Sequence, residues 1–246
     1  MKKTEIHLWT APLTPAGTEK YNILEVLSPD ERKRAEAFRF EKHRSSFVVG
    51  RAMLRFILGS YLQQQPRDIR FKYGRNGKPA LDEAKSRLHF NLAHSENRVV
   101  YAMTEAGELG VDVELVRPLP ELESIAQKFF SPEECHQLLS LPAERRIEGF
   151  FNCWTRKEAY LKAVGDGLMV PLNSFQVSLL PGQPAAFLKL PGDRYPMSQW
   201  DLFHVELSDG YVGALATPFP GCTLQYRRFS DAASCFQYLA GSASSF

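Results

Sequence analysis

The chain opens a helix twice with the same device, Ser-Pro-x-Glu, once as "SPDE" from Ser28 and once as "SPEE" from Ser131. Ser caps an orphan backbone N–H, Pro fits the first helical position, and the Glu three residues after the Ser reaches back to the cap's own N–H. The segments around each start follow one order. "EIHLWTA" alternates as a strand; "RSSFVVGRAMLRFILGSYL" has apolar residues at helical spacing from Phe47 to Leu62, with its arginines on or beside the outer face. "DIRFKYG", "HFNLAHS", "RVVYAMT" and "ELGVDVELV" are short, β-branched and aromatic, and read as strands. After the second helical block, "SFQVSLL", "AAFLKLP", "WDLFHVELS", "YVGALAT" and "TLQYRRF" read as strands again, and the tail "GSASSF" should fray. The expectation is an α+β protein of two similarly ordered halves, 1–106 and 107–246, meeting near Gly107, without a letter-by-letter repeat.

With 246 residues and 44% hydrophobic content, the chain can bury a core of one large or two small domains. Lys plus Arg (30) nearly balance Asp plus Glu (28), so a net +2 supplies no global field for nucleic acid or membrane, and any anion site must be local. No apolar run is long enough for a signal peptide or a membrane span, so the expectation is a cytoplasmic protein with no membrane partner; the balanced charge and the lack of an aromatic-basic platform argue against nucleic acid, and the expected state is a monomer. The four cysteines lack paired spacing and read as ordinary thiols, two of them half-buried; the six histidines form no metal-ligating pattern.

Three stretches carry candidate chemistry. In "GVDVEL", Asp112 and Glu114 project to one face of a strand and Val111, Val113 and Leu115 to the other. Alone, that is an edge strand with a wet face. In "FFNCWTRKEAYLKAVGDGL", Trp154, Glu158 and Lys162 share one row of a helix with Lys157 beside it; alone, Glu158 and Lys162 are a solvated pair. Three carboxylates in one place, however, are an oxygen-only ligand set of the kind Mg²⁺ takes beside a phosphate. "YGRNGKPAL" and "FNLAHSE" read singly as turns with incidental basic residues. Together Arg34, Arg44, Lys78 and His94 would line an anion pocket, so that the sequence describes a site for a phosphate-rich ligand plus Mg²⁺.

The ordered motifs "GRNGKPAL", "FNLAHS", "GVDVE" and "FFSPEE" followed by "WTRKEAYLKAVGDGL" resemble the 4′-phosphopantetheinyl transferases of the large, Sfp-like type, from residue 28 to about 180. The resemblance implies a pseudo-dimer of two α/β halves with the active site, and coenzyme A, in the cleft between them. Asp112, Glu114 and Glu158 match the Mg²⁺ positions, and Lys162 the helix lysine that reaches the pyrophosphate. Arg34, Lys78 and His94 match basic positions around the coenzyme's phosphates, with Gly74, Arg75, Asn76 and Gly77 and then Asn91, Leu92 and Ala93 as the adjacent backbone wall. Arg44 and Arg51 belong to the same set, in a helix whose register is harder to fix. The family often has Ser where this chain has Ala93, so a hydroxyl contact is absent there.

The implied reaction is attack of a serine hydroxyl of an apo acyl or peptidyl carrier protein on the β-phosphorus of coenzyme A, releasing 3′,5′-ADP, with Glu158 or a metal-bound water as base. Fatty-acid, polyketide and nonribosomal peptide carriers are all open. Lys157 orients its neighbours or is solvated, and Trp154 packs. The competing readings are a Mg²⁺-dependent phosphohydrolase and a non-catalytic coenzyme A-binding module.

Overall fold

The computed structural model describes residues 4–74, 77–82, 86–165, 170–191 and 196–243. It is a mixed α/β protein. The first part of the chain runs β1 (Glu5–Pro12), α1 (Pro29–Glu36), α2 (Glu41–Leu62), the hairpin β2 (Phe71–Tyr73) and β3 (Pro79–Leu81), β4 (His89–Ser95) and β5 (Arg98–Thr104). The second runs β6 (Gly110–Leu115), α3 (Leu122–Phe129), α4 (Pro132–Leu139), α5 (Ala143–Val164), the hairpin β7 (Gln176–Val177) and β8 (Phe187–Lys189), then β9 (Asp201–Val205), β10 (Tyr211–Thr217), β11 (Thr223–Arg228) and α6 (Ala232–Ala243).

The larger sheets are ordered β11-β1-β5-β4 and β6-β10-β9. Their alternating residues sort onto two faces. Ile6, Leu8, Val100 and Ala102 of the first sheet meet Val111, Val113 and Leu215 of the second in a shared apolar layer. Trp9, Ala11, Tyr101 and Met103 point the other way, into a core with α2 and α6. Val212, Ala214 and Ala216 point outward in the second sheet, into a core with α5. The layers are therefore helix, sheet, sheet, helix, and the face of β6 that carries Asp112 is the one turned toward α5.

The chain's final segment departs from the expected two-part order. β11 pairs parallel with β1, and α6 buries Ala232, Cys235, Phe236 and Leu239 in the first core. That spacing is the i, i+3, i+4, i+7 stripe of a helix, and the sequence reading passed over it. Residues expected to fray are helical as far as Ala243, and the last three lie outside the described residues. The thiols differ as well: all four are free, and Cys153, Cys222 and Cys235 are buried, leaving Cys135 alone at intermediate exposure.

Both Ser-Pro-x-Glu starts serve the same larger purpose. Glu31 Oε2 accepts the Ser28 N–H at 2.9 Å and also the Nε–H of Arg55 from α2 at 2.7 Å. Arg55 then donates to the carbonyls of Pro66 and Ile69, which follow the helix. In the second half of the chain Glu134 Oε2 accepts the Ser131 N–H at 2.8 Å and stands 2.9 Å from Lys157 Nζ of α5. Lys157 donates to the carbonyls of Leu172 and Phe175, again just after the helix, and Glu134 Oε1 accepts the N–H of Val177 in β7. Each capping carboxylate thus becomes the buried partner of a cation on a 22-residue helix. These findings correct one expectation and narrow another. Arg55 is 1% exposed instead of lying near the outer face, and of the two roles open to Lys157, orienting its neighbours or being solvated, its full burial excludes the second. Hydrophobic periodicity assigns both cations outward because it cannot see a buried acceptor contributed by a distant helix cap.

Replacing Lys157 with Met strands the Glu134 carboxylate and two carbonyls in the core. Loss of one partner of such a buried pair costs about 3–5 kcal/mol. The urea midpoint of Lys157→Met should fall accordingly at unchanged m-value, and an unchanged midpoint would refute the role of this node.

Candidate active site

The site begins at Gly110. A Cβ built there would lie 2.1 Å from the Ala159 carbonyl oxygen and 2.3 Å from the Ala163 nitrogen, separations real Cβ atoms do not tolerate. The absent side chain lets the backbone of α5 rest directly on β6, whose third and fifth residues are Asp112 and Glu114. One row of α5, Trp154, Glu158 and Lys162, then faces the same cleft as those carboxylates. This is the juxtaposition the sequence spacing anticipated for Glu158 and Lys162; Gly110, which makes it possible, went unnoticed within "GVDVEL".

Asp112 is 6% exposed. Its Oδ1 accepts a hydrogen bond from Lys162 Nζ at 2.7 Å, while its Oδ2 is buried with no hydrogen-bond partner. Burial raises its pKa to about 7; Lys162 opposes the rise, and the nearby Glu114 and Glu158 charges add to it. Glu158 is also pushed above its ordinary value, by burial first and by Glu114 second, against the pull of Lys162. Glu114 is oriented from the first sheet, where Ser95 Oγ donates to its Oε2 at 2.8 Å and in turn accepts the Leu115 N–H at 3.2 Å. Ser95 had no role assigned from sequence; its place at the tip of β4, next to His94, was the available signal.

The opposite wall is basic. Arg34, Arg51 and His94 line the cleft, whose volume is about 550 Å³. Arg34 lies over the Phe47 ring at 5.2 Å. Arg51 stands 3.6 Å from Glu31, and its Nη1 is buried with no hydrogen-bond partner. The pKa of His94 is lowered by burial and by Lys162 and Arg34, against a smaller raising by Glu114 and its own backbone. Ala93 and Leu92 also line this cleft. Asn91 is buried, and its Oδ1 accepts the Val111 N–H at 3.0 Å, tying β4 to the acidic strand.

Lys78 and Gly77 border an adjoining cavity of about 290 Å³ that shares Glu158 and Lys162 with the cleft. The Lys78 ammonium donates to the backbone carbonyl of Lys162 at 2.7 Å and stands 3.6 Å from Glu108. Gly74 and Gly77 close the turn before it, with the Gly77 N–H donating to Gly74 O and Gly77 at a φ of +74°. Arg75 and Asn76 lie outside the described residues. Arg44 is not brought to the cleft: it pairs with Glu41 at 3.5 Å and lines a separate groove with Asn22 and Ser45. Among the described residues, no three His, Cys, Asp or Glu side chains stand close enough together to form a ready metal cage, and no helix is long and apolar enough to cross a membrane.

A mixed α/β scaffold that turns crowded carboxylates and a lysine toward a basic wall defines an enzyme of phosphoryl-group chemistry. Comparison with known proteins narrows the class. Residues 108–216 match the model of the 4′-phosphopantetheinyl transferase superfamily, and residues 12–106 match the model of a 4′-phosphopantetheinyl transferase N-terminal region. The chain is 41% identical over 214 residues to the 4′-phosphopantetheinyl transferase HetI of Nostoc sp., covering 86% of this chain and 87% of that protein. It is 30% identical over 210 residues to Sfp of Bacillus subtilis, covering 85% and 89%. To psf-1 of Bacillus pumilus it is 36% identical over 177 residues, covering 70% and 74%. The chain belongs to this family and is a 4′-phosphopantetheinyl transferase of the Sfp-like type.

The raised Asp112 pKa fixes the sign of a pH effect. Its carboxyl holds a proton more tightly folded (about 7) than unfolded (3.8), so between those values the native state binds more protons and stability falls as pH rises. Asp112→Asn lacks that loss. In EDTA, its melting temperature relative to the parent should rise from about pH 4 to about pH 7 and level off above about pH 8. A difference independent of pH would contradict this account of Asp112.

Proposed function

We propose that the protein transfers the 4′-phosphopantetheine group of coenzyme A to a serine of an apo acyl or peptidyl carrier protein, in a Mg²⁺-dependent reaction that releases 3′,5′-ADP. We place the reaction in a cleft between two related halves, 1–106 and 107–246, the last strand and helix of the second crossing back onto the first; the repeated carboxylate–cation nodes lend support to this reading. The observation that carries the reading is the convergence of Asp112, Glu114, Glu158 and Lys162 on one cleft opposite Arg34, Arg51 and His94.

The residues fit a hard divalent cation on two counts. Their donors are all carboxylate oxygens, and Asp112 Oδ2 is a buried acceptor without a donor in a pocket where three acidic groups face one ammonium. Asp112, Glu114 and Glu158 would hold the ion. When bound, Mg²⁺ supplies charge neutralisation at the pyrophosphate.

The remaining work falls to the chain's own groups. Arg34, Arg51 and His94 offer hydrogen-bond donors to phosphate oxygens, and the guanidinium nitrogen of Arg51 that lacks a partner is already desolvated. Lys162, held at Asp112, provides a preorganised positive charge on the leaving side. Glu158 is the group we assign to take the serine proton, because its carboxylate faces the cleft one helical turn from Lys162. Trp154 stacks on Phe150 at 5.9 Å and meets Phe129 edge-on, which fixes the N-terminal end of the catalytic row.

Mass spectrometry of apo carrier proteins incubated with coenzyme A and Mg²⁺ tests the assignment: the carrier should gain one phosphopantetheine, and 3′,5′-ADP should be released only when carrier is present. Release without carrier would instead indicate a phosphohydrolase. In the same assay Lys162→Ala should lower turnover by about 10²–10³-fold, the usual size for one preorganised donor, and Glu158→Gln should also be nearly inactive. Parental rates in these two variants would make the row on α5 structural.

A further inference from the structure

We propose that Lys78 is a positioning residue for the transfer: its ammonium, held against Glu108, grips the last turn of α5 and sets where Lys162 stands over Asp112. The inference rests on the transfer reading above.

The terminal carbonyls of an α-helix have no partner within the helix. In α5 the N–H of Gly165, the left-handed C-cap, satisfies Leu161 O. The next carbonyl, that of Lys162, is met by Lys78 Nζ at 2.7 Å. A cation at this end of a helix is also favoured by the helix dipole. Lys78 immediately precedes β3, so the bond ties a hairpin of the first half of the chain to the helix of the second. Glu108, 3.6 Å from the same ammonium, stands two residues before β6 and four before Asp112; its own carbonyl accepts the Thr217 hydroxyl at 3.2 Å. One side chain thus joins the base of the acidic strand to the end of the catalytic helix. Lys162 hangs its catalytic ammonium from the very residue whose carbonyl is gripped, so a shift of that turn moves the charge away from Asp112. A lysine that only contacted phosphate would be expected to point its ammonium into open cleft, whereas this one is committed to protein acceptors.

The test uses the full chain carrying Lys78→Met, Lys78→Arg or Glu108→Gln, with two readouts. Transfer kinetics and calorimetric coenzyme A affinity form the first. Lys78→Met should lower kcat by about 10- to 100-fold, as expected of a misplaced catalytic group, while the Kd for coenzyme A changes by less than about threefold. Lys78→Arg, which can still donate to the carbonyl, should recover most of kcat, and Glu108→Gln should shift kcat in the same direction by less. The second readout is amide hydrogen exchange over residues 161–165 without coenzyme A or metal, which should speed by about tenfold in Lys78→Met. A variant with parental kcat at saturating coenzyme A and a weakened Kd would make Lys78 a phosphate ligand and overturn the proposal, as would unchanged exchange in the last turn. If the parent itself transfers nothing to any carrier, the functional reading fails, and the exchange measurement alone still decides whether Lys78 holds this turn.

Discussion

Between Gly110 and the closing turns of α5 there is room for a hydrogen and nothing larger. Everything in the cleft depends on that approach. A helix separated from β6 by even one methyl layer would carry Glu158 and Lys162 away from Asp112, and the 2.7 Å bond between lysine and aspartate could not form without distortion elsewhere. The same contact explains the electrostatics. Asp112 is crowded by a helix backbone on one side and by Glu114 and Glu158 on another, so its charge is stabilised by a single ammonium and its proton affinity rises.

What holds α5 there is a set of buried cations on its other side. Lys157 reaches the Glu134 cap and the carbonyls of residues 172 and 175, and its neighbour Arg156 donates to Ser178 O at 2.6 Å and to Ser178 Oγ at 3.1 Å. The helix therefore has two polar faces with different tasks. One is consumed by internal acceptors and fixes the helix; the other, Trp154, Glu158 and Lys162, faces the cleft. The arrangement around Glu31 and Arg55 repeats the first task in α2, and Arg51, one helical turn earlier on that helix, lines the basic wall of the cleft.

Much of this was legible in the sequence. The capping boxes, the period change from helix to strand and the alternation in "GVDVEL" placed Asp112 and Glu114 on one face, and i, i+4 spacing placed Glu158 and Lys162 together. What escaped has a common cause: it depends on contacts between segments far apart in the chain. Lys157 and Arg55 look like solvated charges until distant caps and carbonyls surround them, and the wet-edge reading of β6 omits the helix that covers Asp112. Ser95 orients Glu114 across two sheets, and Arg44 lies beyond the cleft because it sits two turns, about 10 Å along the axis of α2, before Arg51, where it pairs with Glu41. The apolar stripe of α6 was readable in principle; only its small-residue ending pointed the other way.

Gly110→Ala tests the dependence of the site on this close approach most directly. The substitution adds one methyl group against the backbone of α5 and alters no side chain proposed to touch the coenzyme. The account predicts a protein that still unfolds cooperatively, destabilised by the about 1–3 kcal/mol typical of overpacking, yet slowed in phosphopantetheine transfer by about 100-fold or more because α5 is displaced. A folded Gly110→Ala protein that transfers at the parental rate would contradict it.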